Sequence, residues 1–322
     1  MSPASGLTTR ANVTRPPPSV AVIVPTLATR ARAPYLERAI DSILAQRHLR
    51  PLPIVVVNGP DVDAELLAWL RHRHDIQIIE REEADLSAAL AAGCGEVDTP
   101  FFAELDDDDL LLPSALFKRW QMMHGDERLD AVVTDGIVRT PKGDTHCFSN
   151  AAALRSDPLR LLLEKNWLLP GAVLFRTGRV VPDLFSELPR FLERTYLAAA
   201  LVMRYRIAFL TEPTVIHYEG HAFSVNDSPA CRAGRPAAIR TLRSLPWPQQ
   251  LRGRVDAKER AAEHDAADLY LADRAYVQAW RAHLRSLAGR DGLRYLPFTW
   301  HVLMLGLHRR RAAATTFISS RN

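Results

Sequence analysis

The sequence predicts an α/β fold in which helices cover both faces of a mainly parallel sheet. Over the first hundred residues, apolar runs rich in valine and isoleucine alternate with segments of helical periodicity. Parallel strands need a helical crossover of this kind between them, and sheets so connected are buried on both faces. The fourth run ends on four consecutive aspartates, Asp106 to Asp109. Because such sheets bind ligands outside the carboxyl ends of their strands, we expect the aspartates to lie at a binding site.

The first half of the chain is predicted to run as strand and helix in regular order. The apolar runs predict strands at 20–26, 53–61, 76–80 and 99–105. Helical spacing of apolar residues, such as Leu36, Ile40 and Ile43, predicts helices at 35–48, 64–74 and 84–95. We expect right-handed crossovers to place the four strands in parallel, with Pro25, Thr26 and Asn58 at the same edge as the aspartates.

After residue 114 the pattern becomes less regular. It predicts strands at 129–140 and 171–177, a helix at 187–205, and a strand with a following loop at 206–224. Residues 265–289 predict one amphipathic helix that ends at Gly289. Its apolar face would consist of Leu269, Ala272, Tyr276, Trp280, Leu284 and Leu287.

Composition narrows the class of protein. Of 322 residues, 47% are hydrophobic and 24% are charged, which is typical of a soluble globular chain. Residues 1–18 contain no apolar core of signal-peptide length and predict a disordered tail. The longest apolar segment, 295–307, is too short to span a bilayer. Three cysteines at unrelated spacings predict reduced thiols and a cytosolic location.

Charge is unevenly distributed along the chain. From Cys231 onward there are 17 Lys and Arg against 7 Asp and Glu, whereas the whole chain has a net charge of +4. A basic surface can face nucleic acid, an anionic membrane or simply solvent. We expect no nucleic-acid partner. For 265–311 we consider packing on the rest of the protein, a homodimer contact, and peripheral contact with the inner face of a membrane.

The four aspartates favour a divalent-cation site. In an extended or gently bent segment, residues two apart point the same way, so Asp106 and Asp108 would face one point while Asp107 and Asp109 face elsewhere. Carboxylate oxygens suit Mg²⁺ or Mn²⁺, and Mg²⁺ is usually held by one or two carboxylates together with substrate phosphates. The alternative is a solvated acidic loop that leads into a helix capped by Ser114.

Four segments together resemble the nucleotide-sugar domain of family 2 glycosyltransferases, which have the GT-A type fold with a Rossmann-like sheet. They read VAVIVPTLATR, LERAIDSILAQ, IVVVNGPD and ELDDDDLLLP, and the resemblance covers about residues 19–225. It implies a nucleotide-sugar-binding half at 19–113 and an acceptor-binding half at 114–228. It also implies a hexosyltransferase-like enzyme whose acceptor is a saccharide, a lipid-linked molecule or a small molecule. Residues 229–322 lie outside the resemblance, and their charge and periodicity predict a basic helical extension.

The resemblance also implies roles for individual residues. Pro25, Thr26, Asn58, Asp106 and Asp107 would contact the nucleoside diphosphate donor. The metal-binding DxD motif would contribute Asp108 as the main ligand, with Asp106 and His221 as further ligands to Mn²⁺ or Mg²⁺.

The acceptor half of the family has a helix that begins with Glu-Asp, whose aspartate is the usual catalytic base. This chain has Glu193-Arg194 instead. Glu193 is therefore the candidate base for inverting transfer, with Asp183 or Glu187 as alternatives. If none of them serves, the chain would be a sugar-nucleotide-binding or scaffold protein without turnover. A nucleotidyltransferase is a further alternative, although PTLATRARAP lacks the glycines of a triphosphate-binding loop.

Overall fold

The structure is a computed structural model of the chain, in which residues 18–219 and 228–304 are described. Nine strands in these residues form one sheet. They are β1 (Ser19–Thr26), β2 (Arg50–Asn58), β3 (Gln77–Arg81), β4 (Phe101–Glu104), β5 (Leu110–Leu111), β6 (Ala131–Thr140), β7 (Gly143–His146), β8 (Val173–Arg176) and β9 (Ile207–Tyr218).

Eleven α-helices are found in the same residues. They are α1 (Ala33–Leu44), α2 (Ala64–Arg71), α3 (Leu86–Gly95), α4 (Ala115–Gly125), α5 (Ala151–Ser156), α6 (Pro158–Glu164), α7 (Asp183–Ser186), α8 (Glu193–Arg204), α9 (Pro229–Arg243), α10 (Gln249–Ala272) and α11 (Tyr276–Ser286). Residues 296–304 are also helical, up to the last described residue.

The sheet has the order β3-β2-β1-β4-β8-β6-β9-β5, and β7 pairs with β6 at the side. The first four strands in this order are parallel, as predicted from the alternation of strands and helices. Beyond β4 the sheet is mixed, because β8 runs antiparallel to both β4 and β6 while β9 is parallel to β6. The carboxyl ends of β1, β2 and β4 therefore lie together at one edge.

Helices cover both faces of the sheet, as predicted. Side chains alternate between the faces along a strand, and in β1 Val22 packs into one core while Ile23 packs into the other. The first core includes Leu36 of α1 and Leu70 of α2, whereas the second includes Leu90 of α3. Helices α4 and α8 complete the two layers through buried leucines.

The predicted helix at 187–205 begins later than expected. The chain forms the short α7, then passes through Phe191 in the left-handed region at φ 74°, and α8 begins at Glu193. A second difference concerns Ser114, which precedes α4 with φ 60° and makes no side-chain capping hydrogen bond. The alternative prediction was that the aspartate run leads into a helix capped by Ser114. A helix does follow, but the Ser114 side chain does not cap it, so that part of the alternative is wrong.

The single helix predicted at 265–289 is wrong. Helix α10 ends at Ala272, Arg274 has φ 60°, and α11 starts a new axis at Tyr276. Helical spacing counted across such a break does not identify a common face. The buried residues of α11 are Ala279, Ala282, His283 and Ser286, whereas Leu284 of the predicted face is 60% exposed.

Two earlier expectations concern the ends of the chain and the membrane. The predicted disordered tail lies almost wholly outside the described residues. Within the described ranges, no helix has both the length and the apolarity that crossing a membrane requires.

Candidate active site

The aspartate run forms a tight turn at the carboxyl end of β4. Asp107 and Asp108 occupy the turn, and the amide of Asp109 donates a hydrogen bond of 3.1 Å to the carbonyl of Asp106. The segment is therefore neither extended nor gently bent, contrary to the expectation from alternating side chains. The turn brings carboxylate oxygens of Asp106, Asp108 and Asp109 within 4.8 Å of one another and leaves Asp107 out. The expectation that Asp109 faces elsewhere is therefore wrong, because the turn places its carboxylate beside those of Asp106 and Asp108.

Asp107 points back toward the end of β1. Its carboxylate accepts a 2.6 Å hydrogen bond from Thr26 Oγ1 and pairs with the guanidinium of Arg32. Asp107 is 2% exposed, and burial raises the pKa of its carboxyl to about 6 against the opposing effects of Arg32 and Thr26. These bonds hold the aspartate turn against β1.

The ends of β1 and β2 are joined by side chains as well as by the strand ladder. Asn58 Nδ2 donates a 3.0 Å hydrogen bond to the carbonyl of Thr26, and both residues are buried. Pro25 is also buried, in register with Val56. Thr26, Asn58 and Asp107 thus meet at one point as predicted, whereas their contact with a nucleotide remains a prediction.

Asp109 is completely buried and faces β9. His217 places Nδ1 2.9 Å from Asp109 Oδ2, and the amide of Tyr218 donates to Asp109 Oδ1 at 3.1 Å. Burial raises the pKa of the Asp109 carboxyl to about 7, with His217 acting in the opposite direction. For His217, burial lowers the pKa, but the bond to Asp109 and the nearby carboxylates outweigh it and the net pKa is raised.

A second buried carboxylate lies just before the turn. Glu104, the last residue of β4, is 0% exposed and pairs with Arg194 Nη1. Arg194 Nη2 also donates to Asp106 Oδ1 at 2.7 Å, and its side chain is 15% exposed. Burial raises the pKa of Glu104 although Arg194 acts to lower it. The pair fixes the first turn of α8 to the end of β4.

Glu193, the candidate base, is the first residue of α8 and is half-buried. Within the described residues its side chain makes no hydrogen bond or ion pair. The two alternative bases are poorly placed. Glu187 bonds to Tyr196 and to Arg204 at the other end of α8. Asp183 follows β8, whose last residue is in register with Phe101 at the start of β4. The chain therefore leaves β8 toward Asp183 at the edge of the sheet opposite the aspartate turn.

The acidic turn fits a divalent cation by its donor set. It offers three carboxylates, two of them half-buried and one buried, and hard oxygen ligands of this type suit Mg²⁺ and Mn²⁺. Asp108 contributes to this group, as predicted for the main ligand, and burial together with Asp106 raises the pKa of its carboxyl. His221, the third predicted ligand, lies outside the described residues.

Several residues of the site were not identified from the sequence. The roles of Arg32 and Arg194 are recognisable only by their partners, which lie 75 and 88 positions away. Glu104 had a usable signal, because a charged residue at the end of the apolar run FFAEL needs a partner when that strand is buried. Arg119 of α4 had none: it is fully buried, it bonds to Thr214 Oγ1, and burial lowers the pKa of its guanidinium while the charge of Glu104 acts in the opposite direction.

The chain is similar to a known protein family and to solved structures. The model of the glycosyl transferase family 2 matches residues 21–176. The solved structure of S. aureus TarS 1–349 superposes with a TM-score of 0.53 at 13% identity, over 89% of this chain and 83% of that protein. Its complex with UDP-GlcNAc gives a TM-score of 0.55 at 13% identity, over 84% and 80%. No curated protein sequence matches the chain.

At 13% identity the likeness to TarS shows the fold, and it confirms the predicted GT-A type architecture with its helical C-terminal part. The family model covers the four parallel strands, the aspartate turn and β8. Residues 21–176 are the part of the chain that is similar to glycosyl transferase family 2.

Proposed function

We propose that the protein is a metal-dependent, inverting glycosyltransferase that moves a sugar from a nucleoside diphosphate donor to an acceptor hydroxyl. One observation above all supports this proposal. In a family 2 domain, three carboxylates converge at the sheet edge where the parallel strands end. Ligands of open α/β sheets bind at that edge. The acceptor is a saccharide, a lipid-linked molecule or a small molecule.

The donor half of the site would act as follows. Asp108, with Asp106 and Asp109, would hold Mn²⁺ or Mg²⁺, and a bound cation of this kind neutralises the charge that develops on a departing diphosphate. Thr26 and Asn58 would line the nucleoside pocket at the ends of β1 and β2. Asp107 would keep the turn in place through Thr26 and Arg32.

The acceptor half requires a proton acceptor. Glu193 would take the proton of the acceptor hydroxyl as that oxygen bonds to the anomeric carbon and the bond from this carbon to the diphosphate oxygen breaks. Attack from the face opposite the leaving group inverts the configuration. Arg194 cannot serve, because its guanidinium stays protonated. Burial lowers the pKa of Arg194, but the charges of Glu104 and Asp106 outweigh burial and the net pKa is raised.

The cation site is tested by Asp108→Asn. We expect the variant to lose at least about tenfold in Mn²⁺ affinity, measured by isothermal titration without nucleotide, because one of three charged ligands becomes neutral. Asp98→Asn is the matched control, since Asp98 is exposed and precedes β4 at the other edge of the sheet. Unchanged Mn²⁺ affinity in Asp108→Asn would show that this residue does not hold the metal.

Donor identity is tested by a thermal-shift screen of nucleotide sugars with and without Mn²⁺. TarS was solved with UDP-GlcNAc, so the screen includes UDP-GlcNAc beside UDP-, GDP- and ADP-linked hexoses. We expect one donor to raise the melting temperature more strongly with Mn²⁺ than without it. A set of donors with no effect would contradict the proposal.

A sugar-nucleotide-binding protein without turnover is the second candidate. It is favoured by Arg194, which stands where the family has its catalytic aspartate. The guanidinium pairs with Asp106 and Glu104, so Glu193 is the carboxylate that is left at that end of α8. Glu193→Gln separates the two functions. An enzyme would lose turnover by about a hundredfold or more with unchanged donor affinity. Glu127→Gln, an exposed charge on the loop after α4, is the control.

We also propose a cytoplasmic location. All three cysteines, Cys94, Cys147 and Cys231, are free and buried. Such thiols are typical of a reducing compartment. Fractionation of cells that produce the chain tests the location.

A further inference from the structure

The C-terminal helical part exposes an unusual share of large apolar side chains. Nine large hydrophobic residues are exposed in the described part of the chain, and seven of them lie between 277 and 304. We call these seven the C-terminal apolar surface: Val277, Leu284, Leu293, Leu296, Trp300, Leu303 and Met304. Single exposed apolar residues are normal in soluble proteins, but a concentration of them marks an interaction site.

The helical residues 296–304 are apolar on two sides. Phe298 and Val302, four residues apart, face the protein and pack against α10 and α11. On the opposite side Leu296 and Trp300 are 48% and 64% exposed. A helix with apolar side chains on opposite sides belongs in an apolar environment on both of them. The described residues supply that environment on one side only.

Positive charge accompanies the exposed apolar residues. Between 274 and 304 the sequence has five arginines and one acid, Asp291, which pairs with Arg260. Arg281 is exposed and lies at helical spacing between Val277 and Leu284. The Arg285 side chain is 62% exposed, and its guanidinium lies 3.7 Å from the carboxylate of Glu263. Three more arginines follow at 309–311 in the sequence.

Apolar side chains beside arginine, with an exposed tryptophan, are the chemistry of a surface that lies on an anionic bilayer. Leucine and tryptophan enter the boundary between headgroups and acyl chains, while arginines reach the lipid phosphates. A second copy of this chain fits less well, because pairing like surfaces would bring arginines of both copies together.

We propose that the C-terminal apolar surface docks the protein on a membrane that contains anionic lipids. The inference is independent of the proposed sugar transfer, because none of its residues belongs to the site at the carboxyl ends of β1, β2 and β4. It would hold the protein at a bilayer without a spanning helix.

Vesicle flotation of the full-length chain tests the proposal. We expect binding to vesicles of phosphatidylcholine with phosphatidylglycerol to exceed binding to phosphatidylcholine alone by about tenfold, and to weaken as salt rises. Leu296→Ser with Trp300→Ser should remove most of this binding without changing the melting temperature, since both side chains are exposed. Arg281→Gln with Arg285→Gln should abolish the preference for phosphatidylglycerol.

Val181→Ser is the matched control, because Val181 is also an exposed large hydrophobic residue but lies beside α7. It should bind vesicles as the unchanged chain does. Failure of the unchanged chain to float with anionic vesicles would overturn the proposal. So would sedimentation showing a dimer that the Leu296 and Trp300 changes dissociate, because the surface would then bind a second copy.

Discussion

Arg194 at the start of α8 donates a 2.7 Å hydrogen bond to Asp106 at the end of β4, and the same guanidinium pairs with Glu104. One guanidinium therefore pairs with two carboxylates, and one of these, Glu104, is completely buried. The contact joins the first turn of α8 to the end of β4 at the candidate active site. It also sets the orientation of Asp106, one of three carboxylates that face a common point.

Removing the charge of Arg194 should destabilise the protein. In Arg194→Met the buried Glu104 loses its cation, and breaking a buried pair in this way costs about 3 to 5 kcal/mol of unfolding free energy. Urea unfolding measures the loss. Arg194→Lys keeps the charge and should lose less. Adding Glu104→Gln to Arg194→Met should recover part of the loss, and a purely additive double variant would contradict a direct coupling.

Thr26 should stabilise the aspartate turn through its hydroxyl. Thr26→Val keeps the shape but removes the hydroxyl that donates to the buried Asp107 carboxylate and accepts from the amide of Ala28. We expect a loss of about 1 to 3 kcal/mol in unfolding free energy. Thr26→Ser, which restores the hydroxyl, should be closer to the unchanged chain. Equal stability of the valine and serine variants would show that the hydrogen bond contributes nothing.

Gly93 of α3 should not accept even one methyl group. A Cβ at this position would lie 2.4 Å from Ile23 Cγ2, inside the core between α3 and β1. Gly93→Ala should therefore lose about 1 to 3 kcal/mol of stability through overpacking. Gly95 ends the same helix, and a Cβ there meets no atom within 4 Å. Gly95→Ala should thus be neutral or slightly stabilising. Two variants with equal melting temperatures would exclude the packing argument.

The C-terminal helices should loosen in mild acid. His283 is completely buried against Thr299, and burial together with His264 lowers the pKa of His283. Because the pKa is lowered in the folded protein, the unfolded state binds the proton of His283 more readily. The stability that neutral His283 contributes is therefore present above pH 6.5, the ordinary pKa of histidine, and is lost as the pH falls below that value.

Melting temperatures from about pH 5 to about pH 8 measure this effect. His283→Gln should show a smaller decrease on the acid side than the unchanged chain. His301→Gln changes an exposed histidine and should follow the unchanged chain. An identical pH dependence in all three proteins would rule out His283 as the source.

The parallel half of the fold was predictable because its signals are local. A run of β-branched residues indicates a strand that is buried on both faces, and helical spacing of apolar residues predicts the helices that connect the strands. The acidic run could be placed at the ligand edge for the same reason, since it directly follows β4. The fold of the C-terminal part was not predictable in this way. The periodicity of 265–289 gave no sign of the break at Arg274, so the wrong face was expected to be buried.

The sequence by itself determined the α/β architecture, the edge at which the site lies, and the presence of an acidic group there. Only the tertiary structure decided which carboxylates face one another and which are neutralised. The turn at Asp107 and Asp108 brings Asp109 into the group, and Arg194 reaches Asp106 from 88 positions away. Hydrogen bonds of that range depend on how separate elements pack, and no local pattern of residues records them.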